Sequence, residues 1–263
     1  MRRAPGPALW VESGGTGEKL LVMLHSLGAN AAVWQQLRPI VEVRWPGRWL
    51  APDLRGHGRS GHAPPYGLAM HAADVAGLLE GEEDITVLGH SMGGAVAMTL
   101  AGGWFGIKVR HVIAFGVKLA WTAEEVAKAQ ALARAPARWF ATRDETIERY
   151  LRVSGLKGLV DPGSPEAAHG IVAEEGRFRL AADPRINDVV GAPIDAVIAA
   201  MRAPLRLAAG EHDPMVTLTQ MCRFDAQAAV IAGTRHNPHL EAPEALWRLV
   251  EEALAEGQAT RTG

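Results

Sequence analysis

A serine set between an apolar strand signal and a helix signal constrains the fold of this chain more than any other feature. Residues 85–88 (ITVL) are apolar and partly β-branched, which is typical of a buried parallel strand. The pentapeptide GHSMG follows at residues 89–93, and residues 94–101 favour a closely packed helix. A strand that turns straight into a helix at G-x-S-x-G strains the serine and requires the flanking glycines. We therefore expect the Ser91 hydroxyl at the carboxyl edge of a sheet, beside the positive end of a helix.

Apolar runs alternate with helical segments along most of the chain. Further strands are predicted at residues 20–24, 48–51, 109–115, 205–209 and 228–232, and helices at residues 72–79 and 244–255. Strands that are apolar on both faces and alternate with helices indicate a parallel sheet covered on both sides. The sequence therefore predicts an α/β fold with a mostly parallel sheet.

One long segment, residues 121–201, interrupts this alternation. It contains helical patches broken by glycines and prolines, and no clear strand signal. We expect it to be a helical cap, inserted into an α/β core formed by residues 1–120 and 202–263. Because it leaves the core after a predicted strand, the cap should lie over the carboxyl ends of the strands.

Composition limits the partners of this chain. Its 263 residues carry a formal net charge of −2, and no basic run exceeds two residues, so we expect no binding to nucleic acid or to an anionic membrane. The single Cys222 excludes an internal disulfide and has no partner for a thiolate metal site. No apolar run reaches membrane-spanning length. We expect a cytoplasmic protein that acts on a small molecule.

The loops after two later predicted strands carry an aspartate and a histidine, the side chains that can activate a serine nucleophile. A serine hydroxyl is a weak nucleophile until a base accepts its proton, and the base needs a third group to orient it. Asp213 follows the strand at residues 205–209, and His236 follows the strand at residues 228–232. Both side chains therefore belong at the same edge of the sheet as Ser91.

These features together resemble the α/β-hydrolase superfamily, in the branch that holds carboxylesterases, enol-lactonases, cofactor-free haloperoxidases and C–C bond hydrolases. The motifs that carry the resemblance are residues 25–28 (HSLG), 53–60, 89–93, 210–213 and 236–243. The resemblance implies that Ser91 is the nucleophile, His236 the general base and then acid, and Asp213 the orienting carboxylate. It also implies an oxyanion hole made by the backbone N–H groups of Leu27 and Met92.

Three residues are candidates for contact with a substrate. Ser26 stands where many members of the superfamily have glycine, and the HSLG stretch is similar to the NSLG stretch of 3-oxoadipate enol-lactonases, which favours lactone chemistry. Lys118 follows the strand at residues 109–115, and Trp121 comes three residues later. This pair can bind a substrate carboxylate and an apolar body. The alternative for Lys118 is a solvated cation at the start of the cap.

Several alternatives stay open at this point. In a chain with 29 glycines the pentapeptide can arise by chance, His239 can replace His236 as the base, and Glu211 can replace Asp213 as the acid. The two histidines can also form a metal pair, although no third ligand stands at zinc spacing. The interpretation we favour is a hydrolase of a small ester or lactone that works through a Ser91 acyl-enzyme, without cofactor or metal. The other hypotheses are a C–C bond hydrolase, a cofactor-free haloperoxidase and a non-catalytic ligand receptor.

Overall fold

The computed structural model describes residues 7–262, with side chains through residue 256, so residues 1–6 and residue 263 of the predicted core lie outside it. Its strands and helices are interspersed along the chain. They are β1 Val11–Gly15, β2 Lys19–Leu24, α1 Arg38–Arg44, β3 Arg48–Pro52, α2 Leu68–Leu78, β4 Asp84–His90, α3 Met92–Leu100, β5 Val109–Phe115, α4 Ala123–Arg134, β6 Trp139–Phe140, α5 Arg143–Val153, α6 Pro165–Ala168, β7 Ile171–Glu174, β8 Arg177–Leu180, α7 Ile194–Ala199, β9 Leu205–Gly210, α8 Leu218–Met221, β10 Ala229–Ile231, α9 Pro238–Glu241 and α10 Pro243–Thr262.

Seven strands form the main sheet, in the order β1-β3-β2-β4-β5-β9-β10. Only β1 runs antiparallel to its neighbour, and the other pairs are parallel. Successive side chains of β2 point to opposite faces, so Leu20 and Val22 enter one core while Leu21 and Met23 enter the other. The first core is shared with α2 and α3, and the second with α1 and α10. The predicted α/β fold, with helices on both faces of a mostly parallel sheet, is confirmed.

The edge strand β1 is not among the predicted strands. Its sequence, VESGG, has no apolar alternation and ends in two glycines, which are uncommon in strands. Packing against β3 explains one of these glycines. A Cβ atom at Gly14 would lie 2.8–2.9 Å from the indole ring of Trp49 on β3, so a larger residue would displace that ring.

The expectation that residues 121–201 are purely helical is wrong. Helices α4, α5, α6 and α7 lie there, but β6, β8 and β7 also form a three-stranded antiparallel sheet in that order. Strands of two to four residues are too short to show a period of two in the sequence. The β7–β8 hairpin turns at Glu175 and Gly176, which both have positive φ, as a two-residue type I′ turn requires. We call residues 121–201 the insertion.

The carboxyl ends of β4, β5, β9 and β10 meet at one edge of the main sheet. The loops that follow these strands carry Ser91, Lys118, Asp213 and His236 in turn, and the insertion leaves the sheet at the same edge after β5. This edge is where open α/β sheets commonly bind ligands. Within the described residues, the structure contains no helix of the length and apolarity needed to span a membrane.

Candidate active site

Ser91 lies at a strained turn between β4 and α3. Its φ of 51° and ψ of −116° fall in a region that non-glycine residues rarely adopt. The turn is tightly enclosed, because a Cβ atom at Gly89 would lie 2.5 Å from the Gly93 carbonyl oxygen. A Cβ atom at Gly93 would lie 2.1 Å from the carbonyl oxygen of Leu24 on β2. The two glycines of the pentapeptide therefore permit the strand and helix to approach closely enough to hold the serine in this conformation.

Asp213 and His236 meet at the same edge of the sheet. Nδ1 of His236 lies 3.0 Å and 3.1 Å from the two carboxylate oxygens of Asp213. The Asp213 side chain is fully buried, whereas that of His236 is 22% exposed. Gly116, which follows β5, leaves the room for this pair, because a Cβ atom there would lie 3.1 Å from His236 and 3.3 Å from Asp213. A buried carboxylate at Nδ1 leaves Nε2 of the ring to exchange a proton with a substrate or a nucleophile.

The alternative acid and base lie elsewhere. Glu211 is exposed, and its carboxylate accepts the backbone N–H of Gly233. His239 is fully buried against the rings of Trp34 and His90, and burial lowers its pKa to about 3. Among the described residues, no group of three or more histidine, cysteine or carboxylate side chains is arranged to hold a metal ion.

The buried ring of His90 holds the backbone of the loop that carries His236. Its Nε2 donates to the carbonyl oxygen of His236 at 2.7 Å, and its ring stacks on Phe115 with the ring centres 4.8 Å apart. Burial, followed by the nearby His236 and His239, lowers the pKa of His90 well below its ordinary value. The ring is therefore neutral, with its proton on the nitrogen that faces the carbonyl oxygen.

His25 orders the loop that carries Ser26 and Leu27. Its Nε2 accepts the backbone N–H of Leu54 at 2.9 Å, which assigns the ring proton to Nδ1. Nδ1 then donates to the carbonyl oxygen of Ser26 at 2.8 Å. Burial lowers the pKa of His25, so the neutral form that makes both hydrogen bonds is favoured.

A cavity of about 300 Å³ brings the candidate residues together. Ser91 and His236 line it, and most of the other lining side chains are apolar. These lining residues are Ser26, Leu27, Leu68, Met92, Ala95, Val117, Lys118, Trp121, Arg152, Val153, Ser154, Gly155, Val189, Val190, Ile194 and Met215. Within the described part of the chain, the backbone N–H groups of Leu27 and Met92 have no protein acceptor. The cavity therefore combines a serine hydroxyl, a carboxylate-paired histidine and two candidate oxyanion donors, which suits acyl transfer.

A larger open cleft of about 770 Å³ lies at the opposite edge of the sheet, near the starts of β4 and β5. Its lining includes Trp104, Phe105 and several charged side chains, and none of the described residues that line it is a serine, histidine or aspartate. Size alone therefore does not single out the cavity that holds the candidate catalytic residues.

Lys118 is neither solvated nor free. Its ammonium group pairs with the carboxylate of Glu125 and lies 4.9 Å from the centre of the Trp121 ring, and its side chain is only 16% exposed. The sequence interpretation did not identify Glu125. The residue was nevertheless visible in a capping signature, since Thr122 and Glu125 form the reciprocal T-x-x-E pair that begins α4.

Asn237 is a second residue that the sequence interpretation missed. It follows His236, is buried, and its amide donates to the carbonyl oxygen of Gly155 at 3.0 Å. Gly155 belongs to the part of the insertion that lines the cavity, together with Val153 and Ser154. The hydrogen bond thus joins the loop that carries the candidate base to one wall of the cavity, a contact that only the tertiary structure creates.

A family model described as "Alpha/beta hydrolase family" matches residues 21–249. The chain is 36% identical to a lipase, LipV, of Mycobacterium tuberculosis over 93 residues, which are 34% of this chain and 33% of the lipase. It is 39% identical to a pimeloyl-[acyl-carrier protein] methyl ester esterase of Edwardsiella ictaluri over 94 residues, which are 36% and 35% of the two chains. The chain thus spans about a third of the length of these curated relatives.

Solved structures with low sequence identity share the whole architecture. A thioesterase domain from the curacin biosynthetic pathway superposes with a TM-score of 0.75 at 19% identity, covering 95% of this chain and 97% of the domain. An E-2-(acetamidomethylene)succinate hydrolase superposes with a TM-score of 0.76 at 21% identity, covering 95% and 96% of the two chains. At such identities the likeness shows the fold alone.

Proposed function

Because the chain belongs to the alpha/beta hydrolase family, we propose that it is a serine hydrolase that cleaves a small ester or lactone. The observation that carries the proposal is the contact between Nδ1 of His236 and the buried Asp213 carboxylate, in the cavity that Ser91 also lines. The curated esterase and lipase relatives support the same reaction class.

In the proposed reaction, Nε2 of His236 accepts the Ser91 hydroxyl proton as the serine oxygen attacks the substrate carbonyl carbon. Asp213 holds the ring in the required tautomer and stabilises the imidazolium. The N–H groups of Leu27 and Met92 stabilise the oxyanion, His236 returns its proton to the leaving oxygen, and the acyl-enzyme remains on Ser91. Water then attacks the acyl carbon while His236 accepts one of its protons, and His236 passes that proton to the serine oxygen as the carboxylic acid leaves, which restores the free Ser91 hydroxyl and the neutral imidazole.

The cavity supports a small, largely apolar acyl group. Its volume of about 300 Å³ is at the lower end of the range for ligand sites, and its walls are mostly aliphatic. We propose that Ser26, Trp121 and the alkyl stem of Lys118 contact the substrate. Because Trp121 and residues 152–155 belong to the insertion, we also propose that the insertion acts as a cap over Ser91.

An activity-based probe tests the proposal. A fluorophosphonate should modify the wild-type protein at Ser91, located by peptide mass spectrometry, and the modification should be absent from Ser91→Ala. Ser154→Ala is a matched control, since Ser154 lines the same cavity but its hydroxyl donates to the Tyr150 carbonyl oxygen. Modification that persists in Ser91→Ala, or an unmodified wild-type protein, contradicts the proposal.

A substrate panel then separates the reactions that this triad can perform. Short-chain p-nitrophenyl esters and small lactones should be hydrolysed by the wild-type protein, and the activity should be lost in both Ser91→Ala and His236→Ala. Hydrolysis of a vinylogous diketone in preference to every ester would favour C–C bond cleavage. Binding without turnover of any compound would favour a ligand receptor.

A further inference from the structure

The charges around the cavity suggest, at first sight, a site for anions. Lys118 and Arg152 are the two charged side chains that line it within the described residues, and no carboxylate does. Arg152 is 57% exposed and 3.9 Å from the carboxylate of Glu148, so solvent screens most of its field. Lys118 is the cation that could recognise a substrate carboxylate, because it is the less exposed of the two.

Lys118 already has a carboxylate partner that belongs to the chain. One oxygen of Glu125 pairs with the ammonium group of Lys118. The other oxygen accepts the backbone N–H of Thr122 at 3.0 Å and its hydroxyl at 3.1 Å. The Thr122 hydroxyl in turn accepts the backbone N–H of Glu125 at 3.2 Å. These contacts hold the carboxylate beside Lys118 as part of the first turn of α4.

A substrate carboxylate would therefore compete with Glu125. Either it displaces Glu125 from Lys118, or it meets an ion pair whose net charge is zero. The Lys118 ammonium hydrogen bond lowers the pKa of Glu125 to about 2, so this competitor stays ionised throughout the neutral range. The Trp121 ring beside Lys118 offers a neutral, apolar surface in the same position.

We infer that Glu125 is a built-in counter-ion that sets the charge preference of the cavity, so that neutral acyl groups are preferred to acyl groups that end in a carboxylate. Glu125 is thus a specificity-determining residue outside the set of cavity-lining side chains. This inference rests on the proposed function, since it names the substrate class of the same site.

Glu125→Gln is a precise test because glutamine can keep the capping box of α4 while removing the charge. The substrates are p-nitrophenyl butyrate and the mono-p-nitrophenyl ester of glutaric acid, which places a carboxylate at the far end of the acyl chain. In Glu125→Gln, kcat/KM for the glutarate ester should rise about tenfold or more relative to the butyrate ester, because a free ammonium can then bind the carboxylate. The gain should lie mainly in KM.

Two further variants make the result specific to the Lys118–Glu125 pair. Glu124→Gln removes the same charge from the neighbouring, exposed position of the same helical turn and should leave the ratio of the two esters at its wild-type value. Lys118→Met in the Glu125→Gln background should abolish the gain. An unchanged ratio in Glu125→Gln, or an equal rise in Glu124→Gln, overturns the inference.

A binding measurement separates failure of this inference from failure of the proposed function. If the wild-type protein hydrolyses neither ester and Ser91 is not modified by the probe, the proposed function fails. Calorimetric titration with glutarate then decides the charge preference, since Glu125→Gln should bind glutarate about tenfold or more tightly than the wild type. Equal affinities overturn the inference, and thermal melts of each variant verify that it is folded.

Discussion

Asp213 has two hydrogen-bonding partners, which makes its substitution informative. One carboxylate oxygen accepts the backbone N–H of Met215 at 2.8 Å, and both face the His236 ring. In Asp213→Asn the amide oxygen can keep the Met215 contact, while the amide nitrogen favours the wrong imidazole tautomer. We expect a folded protein whose kcat for the best ester falls by up to about 10⁴-fold.

The control for this prediction is Glu211→Gln, because Glu211 is exposed and contacts the Gly233 backbone rather than His236. It should keep near-normal kcat. Near-normal turnover in Asp213→Asn, together with lost turnover in Glu211→Gln, would reverse the two assignments.

For individual residues, a sequence motif and the position after a predicted strand are enough to propose Ser91, Asp213 and His236 from the sequence. Each follows the end of a parallel strand, and those ends meet wherever such strands pair. Glu125 and Asn237 were not assigned in this way. The capping signature places Glu125 in the first turn of α4 but does not show that its carboxylate reaches Lys118. The contact between Asn237 and Gly155 forms only when the insertion packs against the core.

At the scale of elements, two buried asparagines fasten α5 and the residues after it to the core. Asn30 donates to the Tyr150 hydroxyl at 3.0 Å, and Asn237 donates to the Gly155 carbonyl oxygen at the same distance. Ile147, Tyr150 and Leu151 of α5 also enter one of the two cores beside the main sheet. This part of the insertion therefore forms a fixed wall of the cavity.

Asn237→Ala should loosen that wall without removing a candidate catalytic group. We expect a several-fold rise in KM for neutral esters and a loss of about 1–3 kcal/mol in unfolding free energy, because the Gly155 carbonyl oxygen loses its donor. The control is Asn187→Ala, since Asn187 makes a similar bond to the Pro184 carbonyl oxygen within the insertion. Asn187→Ala should leave KM unchanged. An equal rise in KM in both variants would show that the hydrogen bond between Asn237 and Gly155 has no special role.

Strands are predictable from this sequence where both faces are buried. The strand predicted at residues 109–115 coincides with β5, since its residues lie between two cores. The small sheet of the insertion was missed because its short strands carry arginine and glutamate, whose side chains do not alternate with apolar ones over enough residues. A regular spacing of apolar residues arises where one face of a strand is buried. The residues of these strands are mostly half-buried, so the spacing is weak.

Five histidines are fully buried in the part of the chain that the structure describes, and together they affect the stability of the whole molecule: His25, His57, His71, His90 and His239. Burial is the main cause that lowers the pKa of each, to about 3 for His71 and His239. The unfolded chain therefore binds more protons than the folded one between pH 6.5 and these lower values. These histidines therefore do not reduce the free energy of unfolding above pH 6.5. As the pH falls through that window, the unfolded chain takes up protons that the folded chain does not, and the free energy of unfolding decreases.

We expect the unfolding free energy, measured by urea titration between pH 7.5 and 5.5, to decrease below pH 6.5. Each histidine can contribute up to about 1.4 kcal/mol per pH unit. His71→Phe should flatten the slope by up to that amount, because neither ring nitrogen of His71 has a hydrogen-bond partner in the described residues and the substitution removes the titratable group while keeping an aromatic ring beside His57 and Tyr66. A wild-type slope in His71→Phe would contradict this account.

The position of the insertion also sets the order in which the site is completed during synthesis. Val112 of β5 pairs with Leu205 of β9, so the whole insertion is translated before β9 can dock. The ribosome releases Ser91 and its turn long before Asp213 and His236, the other two members of the proposed triad. A nascent chain would thus carry Ser91 without its proposed base, and the proposed triad would be complete only when the final strands join the sheet.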